Sequence, residues 1–429
     1  MNVIPATLRS LFAGSCLLFC GVVSAGDWPQ ILGPSRNGTA SAEALLPKWD
    51  SELTVLWESP VGSGFAGAAV SGERAVMFFR NDESEIVRCV RVTDGKMMWE
   101  AVGECHYRGG VSSDKGPRCV PLISEDRVYV LGVEGLLRCL RLSDGQEVWK
   151  QDLQTRYNPL AGYFGVGSTP VIHDQHLIVN VGGRGEDSIV AFDINTGEPT
   201  WKAFDDSASY SSPVIASVDG EPIAIVVTRL NLVGLDPQTG SVRFSFPFGA
   251  RGPTVNGATP IITGESVFVS ASYHIGSLLV QLPTKTSAAR EIWRDADLLA
   301  TQYATPVAAA DHSEILFAVD GRQDGGPGSA SVRCLDVKHR KVLWEQTGFD
   351  YGTLVRVSDE LLLLTCGGDL YRLKASVDGY QEVARRKVQN ETDRGYRLPA
   401  LANGRLFVRD DDTLKCLHVG TIQSPVESR

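Results

Sequence analysis

The stretch RLSDGQEVWK, residues 141–150, sets an Asp-Gly turn signal just ahead of a tryptophan. Near-copies lie upstream at RVTDGKMMWE (91–100) and downstream at DINTGEPTWK (193–202). Aligned on the turn, the series runs DGKMMW (94–99), DGQEVW (144–149), TGEPTW (196–201), TGSVRF (239–244), AREIW (289–293), HRKVLW (339–344) and a degraded DGYQEV (378–383). The aromatic positions are Trp99, Trp149, Trp201, Phe244, Trp293 and Trp344, with Val383 seventh, at spacings of 39 to 52 residues. That period belongs to the blades of a β-propeller or a similar array.

Each period repeats one internal grammar. A first strand opens on a small or hydroxyl residue and proline, as in STPVI (168–172), SSPVI (211–215), ATPII (258–262) and ATPVA (304–308). A β-branched second strand and a third strand follow, and the Gly turn leads into a fourth strand that ends in the aromatic. Short strands separated by frequent turn signals make one antiparallel sheet per repeat. No segment keeps a 3.6-residue apolar period, so helix is expected to be negligible.

The ends of the chain give the blade count. RLPALANGRLFVRDDDTLKCLHVG (397–420) supplies three strands and no fourth, whereas LTVLWES (53–59) carries the Trp of a fourth strand with no three strands before it. Joining the two closes an all-β, eight-bladed ring, removes two exposed sheet edges and makes Trp57 the eighth member of the aromatic set. The expected organisation is a signal peptide over 1–25, a leader over 26–52, the propeller over 53–420 and a tail over 421–429.

Arg9, an apolar run from Leu11 to Val23 and the small-x-small triplet Val23-Ser24-Ala25 read as a secretory signal cut before Gly26. The run is too short to span a bilayer, and no later segment approaches twenty apolar residues. Lipid attachment at Cys20 or Cys16 is the weaker reading, because bulky Phe19 precedes Cys20. The exported chain keeps 40 of the 41 basic residues against 51 acidic ones, with no basic run. This argues against a nucleic-acid partner and favours a soluble monomer.

A small residue, then Leu or Phe, then Asp/Thr-Gly and Trp, repeated around an eight-bladed ring, resembles the pyrroloquinoline-quinone-type propeller repeat over nearly all of 53–420. The leader GDWPQILGPSRNG (26–38) with LPKW (46–49) looks like the entry segment of bacterial secreted members of that superfamily. The resemblance implies the fold and leaves the activity open, because the superfamily holds quinoprotein dehydrogenases and non-enzymatic scaffolds such as the outer-membrane assembly lipoprotein. The dehydrogenases carry a disulfide between adjacent cysteines over the cofactor, and this chain has no Cys-Cys pair.

Seven cysteines follow the signal segment. Cys89, Cys139, Cys334 and Cys416 share one third-strand slot with Ala191 and Gly234, which makes them small apolar filler. Between Cys105 and Cys119, a bridge would staple the loop ECHYRGGVSSDKGPRC, and spacing alone leaves it open.

The hairpin turns between third and fourth strands share one face of the ring, and the longer interblade connections share the other. On that loop face Arg80, Arg108, Arg118, Tyr157, Tyr163, Arg251, Tyr303, Tyr351 and Arg397 are the candidate ligand residues. They describe a basic, aromatic mouth suited to an anion, a sugar or a peptide. Trp57, Trp99, Trp149, Trp201, Phe244, Trp293 and Trp344 are expected to dock blade to blade. HDQH (173–176) lacks a third metal ligand, DDD (410–412) lacks the alternating oxygens of a calcium loop, and GVG (165–167) opens a strand, so no metal or nucleotide site is expected.

The expected function is a non-catalytic binding or assembly scaffold of the bacterial cell envelope or periplasm, with an envelope protein or a small anionic or sugar ligand on the loop face. No cofactor is expected on that reading. The alternatives are a pyrroloquinoline-quinone- and calcium-dependent alcohol or sugar dehydrogenase, and a carbohydrate or peptide sensor.

Overall fold

The computed structural model describes residues 26–159, 162–390 and 397–423. Residues 1–25, where the signal peptide is expected, with Cys16 and Cys20, and the end of the tail lie outside the described residues. The chain forms eight four-stranded antiparallel sheets. Blade 1 comprises Ala69–Ser71, Arg74–Asn81, Ser84–Arg91 and Met97–Glu104. Blades 2 to 7 follow in order over 122–152, 171–203, 214–247, 261–295, 307–349 and 352–387. Blade 8 takes Ala400–Ala402, Arg405–Arg409 and Thr413–His418 from the C-terminal side and Val55–Pro60 from the N-terminal side. The ring therefore closes as the chain ends predict. The described helical content is one short helix, Leu153–Tyr157, and a 3-10 turn, Gln323–Gly325. No described helix is long and apolar enough to cross a membrane.

First strands of neighbouring blades touch around the axis, and fourth strands form the rim. Strands with a neighbouring blade on both faces are buried on both faces, which is why RVYVL and SVFVSA read as near-continuous apolar runs. The fourth strands, with one open edge, alternate: in Glu147–Asp152 the centrally placed Trp149 is buried and most of its neighbours are exposed.

The third-to-fourth pairing slips in every blade, and in six of them one residue bulges while the next, an aromatic, faces a small slot. Trp99 pairs with Cys89, Trp149 with Cys139, Trp201 with Ala191, Phe244 with Gly234, Trp344 with Cys334 and Trp57 with Cys416. The filler cysteines thus lie opposite their own blade's aromatic, whereas in blade 5 Leu279 takes that place opposite Trp293. The indole then reaches across the seam. Trp57 Nε1 donates to Val92 O at 2.7 Å, Trp99 to Leu142 O at 2.8 Å, Trp149 to Ile194 O at 2.9 Å, Trp201 to Pro237 O at 3.1 Å, Trp293 to Val337 O at 2.9 Å and Trp344 to Ser376 O at 2.8 Å. Each acceptor lies in the next blade, just after its third strand.

Blade 7 breaks this pattern, and one residue assignment needs correction. Val383, aligned with the aromatics in the sequence, is the bulged residue and is 46% exposed; Ala384 holds the slot, facing Arg372. The docking indole comes instead from the leader. Trp49 Nε1 donates to Val419 O at 3.2 Å, the blade 8 carbonyl equivalent to Val92 O, while the Arg372 guanidinium lies 5.4 Å from the Trp49 ring and donates to Leu46 O at 2.7 Å.

The rest of the leader crosses the hairpin-turn face. Trp28 pairs with Val70 of blade 1, and Pro29 O accepts from Ile123 N of blade 2 at 2.7 Å. Buried Arg36 donates to Thr169 O and Pro170 O beside blade 3, each at 2.8 Å, and Gly38 O accepts from Arg356 N of blade 7 at 2.8 Å. Glu43 accepts from Asn403 N and Gly404 N of blade 8 at 2.6 and 2.7 Å. All but the last of these contacts are to first strands or the residues leading into them, so the leader lies across the axis on that face.

Candidate binding cavity

On the opposite face the interblade loops enclose a cavity of about 630 Å³, in the size range of small-ligand pockets. Its wall is mainly aromatic and apolar. Of the candidate ligand residues, Arg118, Tyr163, Tyr303 and Tyr351 line it.

The loops are fixed by local hydrogen bonds. Asp114, 1% exposed, accepts from Gly64 N at 2.9 Å and Gly116 N at 2.8 Å, folding the 105–118 loop back onto the ring. Val111 N donates to Tyr163 O at 3.0 Å, and Tyr163 OH donates to Gly252 O at 2.9 Å, so the loops after blades 1, 2 and 4 brace one another across the mouth. Tyr351 OH accepts from the backbone N–H of Gln302, Tyr303 and Ala304 at 2.9, 3.0 and 2.9 Å, which holds TQYATP against blade 7. The Tyr303 and Tyr351 rings meet edge to face at 4.8 Å.

The arginines gather less than the tyrosines do. Arg80 is buried and donates to Asp82 O, Cys105 O, Tyr107 O and Lys115 O, which makes it a clamp for the loop backbone. Arg108 is exposed and pairs with Glu83 at 2.7 Å. Arg251 is exposed beside the cavity without lining it. Arg397, buried, donates to Gly64 O at 3.0 Å and pairs with Asp411 at 2.6 Å. Tyr157 belongs to the core at the end of its short helix, against Phe192. Among the described residues only Arg118 brings a guanidinium to the wall, where it donates to Gly116 O and Asp114 O and lies 4.8 Å from the Phe65 ring centroid. Burial holds its pKa below the usual arginine range, and Asp114 opposes that shift. Among the described residues the cavity lining holds more aromatic than basic side chains.

Phe65, Val111, Tyr273, Asp350 and Cys366 also line the cavity and were not singled out from the sequence. Phe65 and Asp350 precede first strands, and Tyr273 and Cys366 sit at second-to-third connections; their place in the blade was the available signal. Val111 is 74% exposed and Tyr163 38%, so the rim is apolar as well. Cys105 and Cys119 are separate, buried thiols, and the loop between them is held by Asp114 and Arg80 rather than by a bridge. Burial pushes the Cys105 thiol up to about 12 and the Cys119 thiol up to about 11.

The chain is an eight-bladed propeller with a cavity on its loop face. A family model described as "Outer membrane protein assembly factor BamB" matches residues 82–323. The match covers more than half of the chain, which belongs to that family. Among solved structures, the chain is similar to BamB from Moraxella catarrhalis, at 14% identity and a TM-score of 0.59, covering 88% of this chain and 99% of that one. It is also similar to the quinohemoprotein alcohol dehydrogenase from Comamonas testosteroni, at 12% identity and a TM-score of 0.63, covering 94% and 82%. The computationally designed protein Ika8 matches at 12% identity and a TM-score of 0.55, covering 85% and 99%. No curated protein sequence gives a significant match. At these identities the structures share the fold, and the fold carries several functions.

Proposed function

We propose that this protein is a non-catalytic binding or assembly scaffold of the bacterial cell envelope, engaging its partner through the loop face. The observation that carries the reading is the cavity with its apolar rim: Val111 and Tyr163 project at the mouth while aromatic rings line the interior. Exposed apolar groups around a concave aromatic site mark a surface for a partner, with the large side chains as anchors. Family membership supports the same direction, as does the exported character expected from residues 1–25.

The dehydrogenase reading asks for a quinone tricarboxylate and calcium. Among the described residues the cavity offers one guanidinium, largely engaged with backbone carbonyls, and no group of three or more His, Cys, Asp or Glu could hold a metal ion. This donor set supports the scaffold reading over the dehydrogenase one. Adding pyrroloquinoline quinone and Ca²⁺ to the purified protein separates the readings. The scaffold reading expects neither saturable binding nor dye-linked alcohol or sugar oxidation, and either one would overturn it.

A further inference from the structure

We propose that the axial cavity recognises an organic cation, a protonated or quaternary ammonium group, between tyrosine ring faces and the Asp350 carboxylate. The proposal rests on the binding reading above and names the chemistry of its ligand.

The tyrosines present rings rather than hydroxyls. Tyr163 OH donates to Gly252 O, Tyr210 OH accepts from Phe164 N at 2.7 Å, Tyr273 OH accepts from Gln302 Nε2 at 2.7 Å, and Tyr303 OH donates to Gln323 Oε1 at 2.6 Å. Tyr351 OH is the acceptor of the backbone trio described above. Burial pushes the Tyr210 and Tyr351 phenols up to about 12, so they stay neutral. With their hydroxyls held in the wall, the tyrosines offer ring faces, and a ring face attracts a cation through its quadrupole. Tyr273 already makes one such contact outside the cavity wall, with Arg322 lying 5.0 Å from its ring centroid.

Charge points the same way. Arg118 has Asp114 at 3.9 Å, and Arg322 pairs with Asp324 at 3.2 Å. Asp350 Oδ1 accepts from Gly328 N at 2.9 Å, and no side-chain cation among the described residues forms an ion pair with this carboxylate. Lys387 comes as near as Gly367 O, to which it donates. Gly367 makes room for the other Asp350 oxygen, since a Cβ there would stand 2.2 Å from Oδ2. A carboxylate with no cationic partner among the described residues, in an aromatic cavity, is the counter-charge an ammonium group requires.

The test is calorimetric titration of the exported chain with choline, with Nα-acetyl-lysine amide, and with 3,3-dimethylbutan-1-ol, the neutral isostere of choline. Saturable binding of choline or of the lysine amide is expected, and which one binds tells a free cation from a lysine side chain of a partner. The alcohol should bind at least roughly tenfold more weakly than choline. Asp350→Asn, which keeps the acceptor for Gly328 N, should lower cation affinity about tenfold with an unchanged melting temperature. Tyr273→Phe should leave affinity unchanged and Tyr273→Leu should lower it. Equal affinity for choline and its isostere, no binding of either cation, or an Asp350→Asn protein that binds like wild type would overturn the proposal. Capture of an envelope partner at Val111 that survives Asp350→Asn would leave the scaffold reading standing without it.

Discussion

The indole of Trp149 lies flat against Gly197 across the seam between blades 2 and 3. A Cβ at Gly197 would come within 2.6 Å of the Trp149 ring atoms Cδ2 and Cε3, and Gly197 has φ +73°. The repeated glycine and the repeated tryptophan are thus two halves of one contact, made between neighbouring blades. Gly95 against Trp57 is the same contact at the closing seam. Trp149→Ala should cost about 3 to 5 kcal/mol. Gly197→Ala should cost at least roughly 2 kcal/mol, from left-handed backbone strain together with overpacking. Thermal melting checks both, and a Trp149→Ala protein that melts like wild type would defeat the docking assignment.

Trp49 should matter as much as a fourth-strand tryptophan, although it lies outside every blade. Trp49→Ala is expected to lower the melting temperature by a shift similar to that of Trp149→Ala. Trp49→Phe keeps a ring beside Arg372 and loses the bond to Val419 O, for a smaller loss of about 1 kcal/mol. A Trp49→Ala protein with unchanged melting would mean that the leader does not seal the seam between blades 7 and 8.

How much of this was legible in the sequence depends on the range of the contact that decides each residue's place. Trp57 could be assigned to blade 8 because strand counting at the two chain ends needs no coordinates. Trp49 could not, because its role arises from the aromatic missing in blade 7, more than 300 residues away in sequence. Val383 and Ala384 differ by one position, and the bulge that chooses between them is invisible in a pattern of residue types. The tyrosines of the loops gather because the interblade connections converge on the axis. The arginines disperse because Arg80 and Arg397 find loop carbonyls and carboxylates whose positions only the fold supplies.

Glu85 should make stability pH-dependent. It is buried between blades 1 and 2, accepts from Val133 N at 2.8 Å, and is pushed up to about 7, first by burial and further by Glu134, against the opposing effects of that bond, Arg80 and Arg138. A carboxyl raised in the folded state holds its proton there while the unfolded chain has already released its own. Its contribution is fully present below the ordinary carboxylate range near 4.5 and is lost as pH rises to about 7. Glu85→Gln should remove a loss on the order of 2 kcal/mol between pH 4.5 and 7.5. Urea midpoints of wild type and variant that fall in parallel across that range would contradict this.

Cys105 and Cys119 should both react with a thiol reagent once the protein is unfolded without reductant, and dithiothreitol should leave the melting temperature unchanged. Mass spectrometry of alkylated peptides reads this directly. Recovery of a Cys105–Cys119 linked peptide would show that the loop is stapled after all.

The central claim is that the loop face is where this protein meets its partner, and site-specific photo-crosslinking in intact envelopes tests it. A photoreactive residue at Val111, on the rim of the cavity, should capture a discrete envelope protein. The same residue at exposed Met97, on the outer edge of blade 1, should not. Equal capture at both positions, or capture at Met97 alone, would contradict the account.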